Sequence, residues 1–222
     1  MKKSLLAFSI LTFLFASSVS YAASPFRLGL RTGLNIANAS FDPDLPSGYS
    51  KSARTGFAVG GVAEVGASDM IFIAAEPMYI QKGVKVDGSI NYFGQVYSFK
   101  STSKASFLEI PVLIKAKFGT SNVKPYVFAG PSLGITLTSK AETEAGGQTS
   151  ESDIKDSTSS TDFSIAFGGG AEFSLNNNVA IGMDARYALG LSDLNKESGT
   201  PHQKIKTNGI QILVCVLFKI GS

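Results

Sequence analysis

Cysteine, histidine and tryptophan are almost absent from this sequence of 222 residues, which contains one cysteine, Cys215, one histidine, His202, and no tryptophan. A single cysteine cannot form an internal disulfide, and we interpret Cys215 as a small apolar filler, with a reactive thiol as the alternative. A metal centre needs several His, Cys or carboxylate ligands at fixed spacing, and only dispersed acids are present. We therefore predict no metal and no cofactor, with weak calcium binding by acids of residues 138–162 as the alternative.

A strong net charge is also lacking. The formal charge is +3, and Lys2 and Lys3 supply two of these units, so the rest of the chain is close to neutral. Nucleic acid is therefore not implied as a partner.

Long apolar runs are missing except near the start of the chain. There, two lysines precede an apolar run from Leu5 to Phe15, and small residues stand at Ser20 and Ala22. This pattern predicts a secretory signal peptide, residues 1–22, whose apolar run is shorter than the roughly 20 residues of a permanent membrane anchor. Its removal leaves one domain, residues 23–222, in which we expect no transmembrane helix.

The rest of the chain shows alternation of apolar and polar residues with period two, which is typical of strands rather than helices. In the first run the apolar positions are Phe26, Leu28, Leu30, Leu34 and Ile36. Seven further runs follow, and the connections between runs alternate between short and long. The short connections are residues 66–69, 119–124 and 174–178, and the long ones are 37–54, 83–106, 138–162 and 192–207.

This arrangement predicts an all-β fold, an eight-stranded antiparallel up-and-down transmembrane β-barrel of the bacterial outer membrane. The short turns of such barrels lie in the periplasm, so we expect both termini there and four long loops outside the cell. We expect the third long loop, residues 138–162, to be mobile because it is poor in apolar residues and rich in Ser, Thr and acids.

Charged residues indicate which face of the strands points inward. They share the glycine-rich face, and five acids balance five bases there. Eight strands leave an interior that side chains just fill, and buried charges are tolerated when they are paired. We therefore predict a closed polar lumen with a structural ion-pair network rather than an acid–base site. The predicted network consists of Arg27, Arg31, Glu64, Glu76, Glu109, Lys115, Lys117, Glu172, Asp184 and Arg186.

Three prolines, Pro77, Pro111 and Pro131, lie within the predicted strands. Each removes one hydrogen bond from the ladder of a sheet that has no free edge. We expect bulges or strand ends at these positions.

One arrangement in the sequence resembles a catalytic site. His202 lies in the fourth long connection with Glu197 and Ser198 nearby, which is compatible with the Ser-His-acid site of a lipid-modifying enzyme. The Gly-Thr-Pro-His context is more typical of a turn, so we predict that the protein is not an enzyme.

Four segments of the sequence carry a family resemblance: residues 28–35 (LGLRTGLN), 76–83 (EPMYIQKG), 108–113 (LEIPVL) and 125–134 (PYVFAGPSLG). Together they resemble the PorT-like family of outer-membrane β-barrel proteins, which is common in the Gram-negative Bacteroidetes. The resemblance covers nearly the whole chain after the signal peptide, and it makes the three prolines look like family features. It implies an outer-membrane barrel but no shared activity, although the founding member is linked to protein secretion. The chain departs from such barrels at its end, because four residues follow the aromatic Phe218.

Three functions are compatible with these expectations. The leading hypothesis is a structural or surface-interaction role through the four long extracellular loops. The alternative is an accessory role in transport or protein secretion across the outer membrane, and a lipid-modifying enzyme is the least favoured. We expect a monomer whose partners are outer-membrane lipid and extracellular or envelope proteins.

Overall fold

The computed structural model describes residues 26–119, 121–197 and 203–220, with only the backbone for residues 90–92. The predicted signal peptide, residues 1–22, lies outside the described residues, as do Ser198 and His202. In the described part of the chain, no helix is long and apolar enough to cross a membrane.

Ten antiparallel strands make up the described structure. They are β1 (Phe26–Asp42), β2 (Tyr49–Gly66), β3 (Ile71–Ala75), β4 (Met78–Tyr92), β5 (Gln95–Lys117), β6 (Val123–Ala145), β7 (Gln148–Asp153), β8 (Thr161–Ser174), β9 (Val179–Gly190) and β10 (Lys204–Ile220). β1 pairs with both β2 and β10, and the pairing of β5 with β6 closes the circuit. The predicted all-β antiparallel barrel is therefore confirmed.

The count of ten strands differs from the predicted eight for two local reasons. β3 and β4 together fill one position of the wall, because both pair with β2 and β5 and only Glu76 and Pro77 separate them. β7 pairs only with the outer part of β6 and adds no position to the wall. The wall itself has the eight positions that the alternating runs predict.

Side chains alternate between the two faces of the wall because successive residues of a strand point to opposite sides. The outward face is an apolar belt, and Leu30, at 73% exposure, is its most protruding aliphatic side chain in β1. The belt includes Leu28, Leu34, Phe57, Val59, Ile114, Val127, Leu133, Phe163, Phe167, Ile181, Met183, Ile212, Val214 and Phe218. Exposed apolar surface of this extent needs an apolar environment, as a lipid bilayer provides.

Three of the predicted long loops consist largely of strands that extend the sheet beyond the belt. Of residues 37–54, only residues 43–48 lie outside β1 and β2. Residues 83–106 form the ends of β4 and β5, which pair in register up to the turn at Phe93 and Gly94. Residues 140–153 form the β6–β7 hairpin, whose turn residues Gly146 and Gly147 both have positive φ. Glycine adopts this conformation without the steric cost of a Cβ. The expectation of a loop in these stretches was wrong for two reasons. Residues 140–153 are polar on both faces and give no period-two signal. In β4, Val84 and Val86 do alternate with Lys85 and Asp87, but this signal is short.

The prolines fit the predicted strand ends only in part. Pro77 lies between β3 and β4, as expected, whereas Pro111 and Pro131 lie inside β5 and β6. The β5–β6 ladder is interrupted between Pro111 and Ile114, with the same register on both sides, so the irregularity is not a bulge. These two prolines therefore lie where the ladder is locally open.

The belt yields a prediction for a single charge on the outward face. Met183→Arg, in the middle of β9, should destabilise the barrel folded in phospholipid vesicles by about 2–4 kcal/mol, because the charge would lie in hydrocarbon. Val96→Arg, an equal change at an exposed apolar residue beyond the belt, is the control and should fold normally. Refolding from urea, followed by the heat-dependent gel shift of the folded barrel, measures both, and equal tolerance would contradict a lipid-facing belt.

Candidate functional site

The inward face of the wall carries a dense group of charged side chains. All ten residues of the predicted network belong to this face. Nine of them are buried, and Arg27, near one mouth of the barrel, retains 13% side-chain exposure. Because the strands place every second residue inside, the alternation of the sequence is sufficient to bring these charges together.

Glu76 is the centre of this group. Its carboxylate lies 2.7 Å from Lys115 Nζ, 2.8 Å from Arg186 Nη2 and 3.1 Å from Arg31 Nη1. Asp184 contacts the same two arginines, at 2.9 Å from Arg31 and 3.1 Å from Arg186. The two acids therefore hold three cations at the middle of the barrel.

A second set of ion pairs continues the group toward the mouth near the short turns. Glu64 contacts Lys117 at 2.7 Å and Arg27, and Glu172 contacts both of these cations at 2.6 Å. Lys115 lies 3.5 Å from Glu64 and so joins this set to Glu76. Nine of the ten predicted residues thus form one connected set, which we call the nine-residue network.

Glu109 is the predicted residue that lies outside this network. Its carboxylate pairs with Lys82 at 2.7 Å, and the same Lys82 Nζ contacts Asp162 at 3.0 Å. Hydroxyl groups complete the group, since Ser132 donates to Glu109 at 3.1 Å and Thr207 donates to Asp162 at 2.8 Å. We call Lys82, Glu109 and Asp162 the Lys82 triad.

Lys82 and Asp162 are the charged residues that sequence reasoning missed, and the same period-two signal was available to find them. Lys82 continues the inward positions of β4 after Met78 and Ile80, and Asp162 directly precedes the outward Phe163 of β8. With both added, the interior holds six bases and six acids. The nine-residue network then carries one excess positive charge and the Lys82 triad one excess negative charge.

Aromatic rings and glycines complete the filling of the interior. The Phe72 ring lies between Arg27 and Lys117, 5.1 Å and 4.3 Å from its centroid. A Cβ added at Gly170 would lie 2.7 Å from Asp184 Cβ, a distance that real structures essentially never show. Side chains therefore fill the interior at the level of the network, and position 170 has no room for a side chain beside Asp184.

Tyr126 also points inward, where its hydroxyl donates a hydrogen bond to Asp184 at 2.9 Å. From its sequence position alone, near the end of a run, Tyr126 would also fit an outward position in an interfacial aromatic band. The buried hydrogen bond satisfies the phenol inside the barrel and supports the carboxylate that holds Arg31 and Arg186.

The arrangement is suited to neutralising buried charge rather than to catalysis. Each of the six acids lies within 4.0 Å of at least one cation, so none is available as a free general base. Within the described residues, no group of three or more His, Cys, Asp or Glu is arranged to hold a metal ion. The Ser-His-acid hypothesis involves Ser198 and His202, which lie outside the described residues.

The mouth near the long connections is covered by two chain segments. Residues 154–159 and 193–197 are joined by a bridge between Thr158 and Asn195 and by the hydrogen bond from Ser159 N to Leu194 O at 2.7 Å. The Leu194 side chain is buried and belongs to the same apolar cluster as Phe107 and Ile80. A cavity of about 290 Å³ remains beneath these segments, with Lys82 in its lining.

The sequence matches one protein family. The profile described as "Outer membrane protein beta-barrel domain" matches residues 15–196. No curated protein matches the chain.

Solved outer-membrane proteins have a similar fold. Neisserial surface protein A is 19% identical, with 88% of this chain and 97% of that chain covered and a TM-score of 0.49. OprG from Pseudomonas aeruginosa is 13% identical, with 91% and 98% covered and a TM-score of 0.49. Outer membrane protein W from E. coli is 14% identical, with 90% and 100% covered and a TM-score of 0.48.

The central position of Glu76 yields a prediction about stability. Glu76→Gln should lower the free energy of unfolding by about 3–5 kcal/mol, because three buried cations lose their shared anion. Glu151→Gln is the matched control, since Glu151 pairs with Lys140 on an exposed hairpin and should leave stability unchanged. Urea unfolding of the barrel in detergent measures both, and equal stability of the two variants would show that the network contributes nothing.

The Lys82 triad yields a second prediction, tested by a double-mutant cycle. Lys82→Met leaves two carboxylates without a cation and should destabilise the barrel by about 3–5 kcal/mol. Adding Glu109→Gln removes one of the stranded charges and should restore part of this loss, so the two changes should be strongly non-additive. Additive effects in the same urea assay would mean that Lys82 and Glu109 do not interact.

Proposed function

Because the chain belongs to the outer membrane protein beta-barrel domain family, it is an integral protein of the outer membrane, and we propose that it acts through the surface that it presents outside the cell. In this proposal the barrel is a rigid mount with a closed polar lumen. Its extended strands and covering segments meet extracellular or envelope proteins.

The proposed orientation rests on the ends of the barrel. Turns at one end are short, and the other end carries the long hairpins and the covering segments. In outer-membrane barrels the short turns face the periplasm, so we assign both ends of the barrel domain, near Phe26 and Ile220, to that side. We further propose cleavage of the signal peptide after Ala22 and a monomeric barrel.

The observation that carries the proposal is the polar sheet that β4, β5, β6 and β7 form beyond the apolar belt. Its charged residues are Lys85, Asp87, Lys100, Lys104, Lys140, Glu142, Glu144, Glu151 and Asp153. Lys104 pairs with Glu142 at 2.5 Å and Lys140 with Glu151 at 2.6 Å, and the hydrogen bond from Lys140 lowers the pKa of the Glu151 carboxyl. Ion pairs between neighbouring strands hold the sheet together while leaving its charges accessible.

The tip of the β4–β5 hairpin adds apolar surface to this charged sheet. Phe93 is 91% exposed, Val96 66% and Tyr97 55%. Exposed aromatic and aliphatic groups beside charges are typical of surfaces that bind other proteins. This composition supports a surface-interaction role.

The alternative function is an accessory role in transport or protein secretion. The four segments that resemble the PorT-like family favour it, and we propose on that ground that the chain derives from a Bacteroidetes-type bacterium. The packed ion-pair network argues against transport through the lumen itself, so a secretion role would also use the outer surface. We propose no enzymatic activity.

The proposal predicts which residues a reagent outside the cell reaches. Val96→Cys should react with a membrane-impermeant maleimide on intact cells, whereas Asn177→Cys, in a short turn, should react only after the outer membrane is opened. The native Cys215 is buried, so the unmodified protein serves as the unlabelled control. The reverse labelling pattern would invert the orientation.

A photo-crosslinker at Val96 then tests the role itself. We expect discrete adducts with another protein in living cells, together with the absence of a large steady conductance for the purified barrel in planar bilayers. No adduct at Val96 or at Glu144, combined with a porin-like conductance, would reject the surface role in favour of transport.

A further inference from the structure

The mouth near the short turns contains a cavity that lies beside the nine-residue network and shares Arg27 and Glu172 with it. Its volume is about 220 Å³. It is lined by residues of β1, β3, β6, β8, β9 and β10 near the short turns and by the turn before Val179. Three cations, Arg27, Lys124 and Lys219, contribute to this lining. The cavity therefore concentrates positive charge at one end of the barrel.

The acid in the lining does not balance these cations. Glu172 has both carboxylate oxygens occupied, Oε1 by Arg27 and Oε2 by Lys117. Lys124 and Lys219 have no ion pair within 4.0 Å among the described residues. Two lysine ammonium groups at this cavity are thus without an anionic partner in that part of the chain.

Strand pairing brings two of the cations directly together. Arg27 and Lys219 are opposite each other in the β1–β10 ladder, and both belong to its inward face. Like charges in directly opposed positions destabilise a pair of strands. Arg27 is already held by Glu64 and Glu172, so the charge that remains uncompensated in this pair is that of Lys219, and an anion beside it would offset that charge.

We infer that this cavity binds a phosphate group. A phosphate carries up to about two negative charges and three acceptor oxygens, which matches two unpaired lysines beside Arg27 better than the single charge of a carboxylate does. The cavity faces the lumen rather than the lipid, and in the proposed orientation it opens to the periplasm. A free phosphate or phosphomonoester reaches it from that side, and the headgroup of an inner-leaflet phospholipid at the rim is the other source of the same chemistry.

The test is a titration of the full-length barrel, refolded in a non-ionic maltoside detergent, with inorganic phosphate in a calorimeter. We expect saturable binding that Lys124→Gln and Lys219→Gln each weaken about five-fold, the effect of one partly screened charge. Lys204→Gln changes the same residue type at the opposite end of β10 and should leave phosphate affinity unchanged. The gel shift of the folded barrel verifies that all variants are folded.

Three outcomes would overturn the inference. They are the absence of saturable binding, an affinity that both Lys124→Gln and Lys219→Gln leave unchanged, and an affinity for acetate equal to that for phosphate. The binding measurement uses purified protein and does not depend on orientation, so it can succeed even where the maleimide experiment inverts the topology.

A second arm of the experiment distinguishes the two sources of phosphate. The barrel is placed in nanodiscs of an uncharged galactolipid, with or without phosphatidylglycerol. A lower apparent affinity for inorganic phosphate in the presence of phosphatidylglycerol assigns the cavity to the lipid headgroup, and an unchanged affinity assigns it to free phosphate.

Discussion

The mutual neutralisation of charges inside a narrow barrel is the interaction on which the rest of this structure depends. Six bases and six acids share an interior that side chains fill, and a charge there is costly unless an opposite charge accompanies it. Glu76, with three cations around one carboxylate, shows how far the sharing extends. The wall can present apolar side chains to lipid because the polar side chains find their partners within.

The interior charges are not distributed evenly along the barrel. The nine-residue network has one more base than acids, the Lys82 triad has one more acid than bases, and Lys124 and Lys219 add positive charge at the mouth near the short turns. The excess charges therefore differ in sign between the two ends. This polarity explains why an anion site is expected at the mouth near the short turns and not beneath the covering segments, where Lys82 already has two carboxylates.

Function is accordingly assigned to the two ends of the barrel rather than to its middle. The middle is packed, with Phe72, Tyr126 and Phe128 against the cations. The end opposite the short turns extends beyond the belt as a polar sheet with the exposed Val96 and Tyr97 at its tip. In both proposals the barrel is a fixed base, and its contacts with other molecules lie where strands and turns leave the membrane.

The sequence by itself determined the barrel, the inward face and most of its charges, because period-two alternation is a local property of each strand and directly decides which side chains point inward. It did not determine that Glu109 shares Lys82 with Asp162 and pairs with no base of the nine-residue network, since that depends on strand register and tilt around the closed wall. The hairpin of residues 140–153 was missed because strands that are polar on both faces carry no apolar pattern, and the hairpin of residues 83–106 was missed because the alternation at Val84 and Val86 is short. Only the strand pairing of the folded barrel showed that Pro111 and Pro131 lie at an interruption of the β5–β6 ladder. The sequence thus decided the facing of the residues, and the tertiary structure alone decided which residues meet, because closure of the barrel joins strands that are distant in the chain.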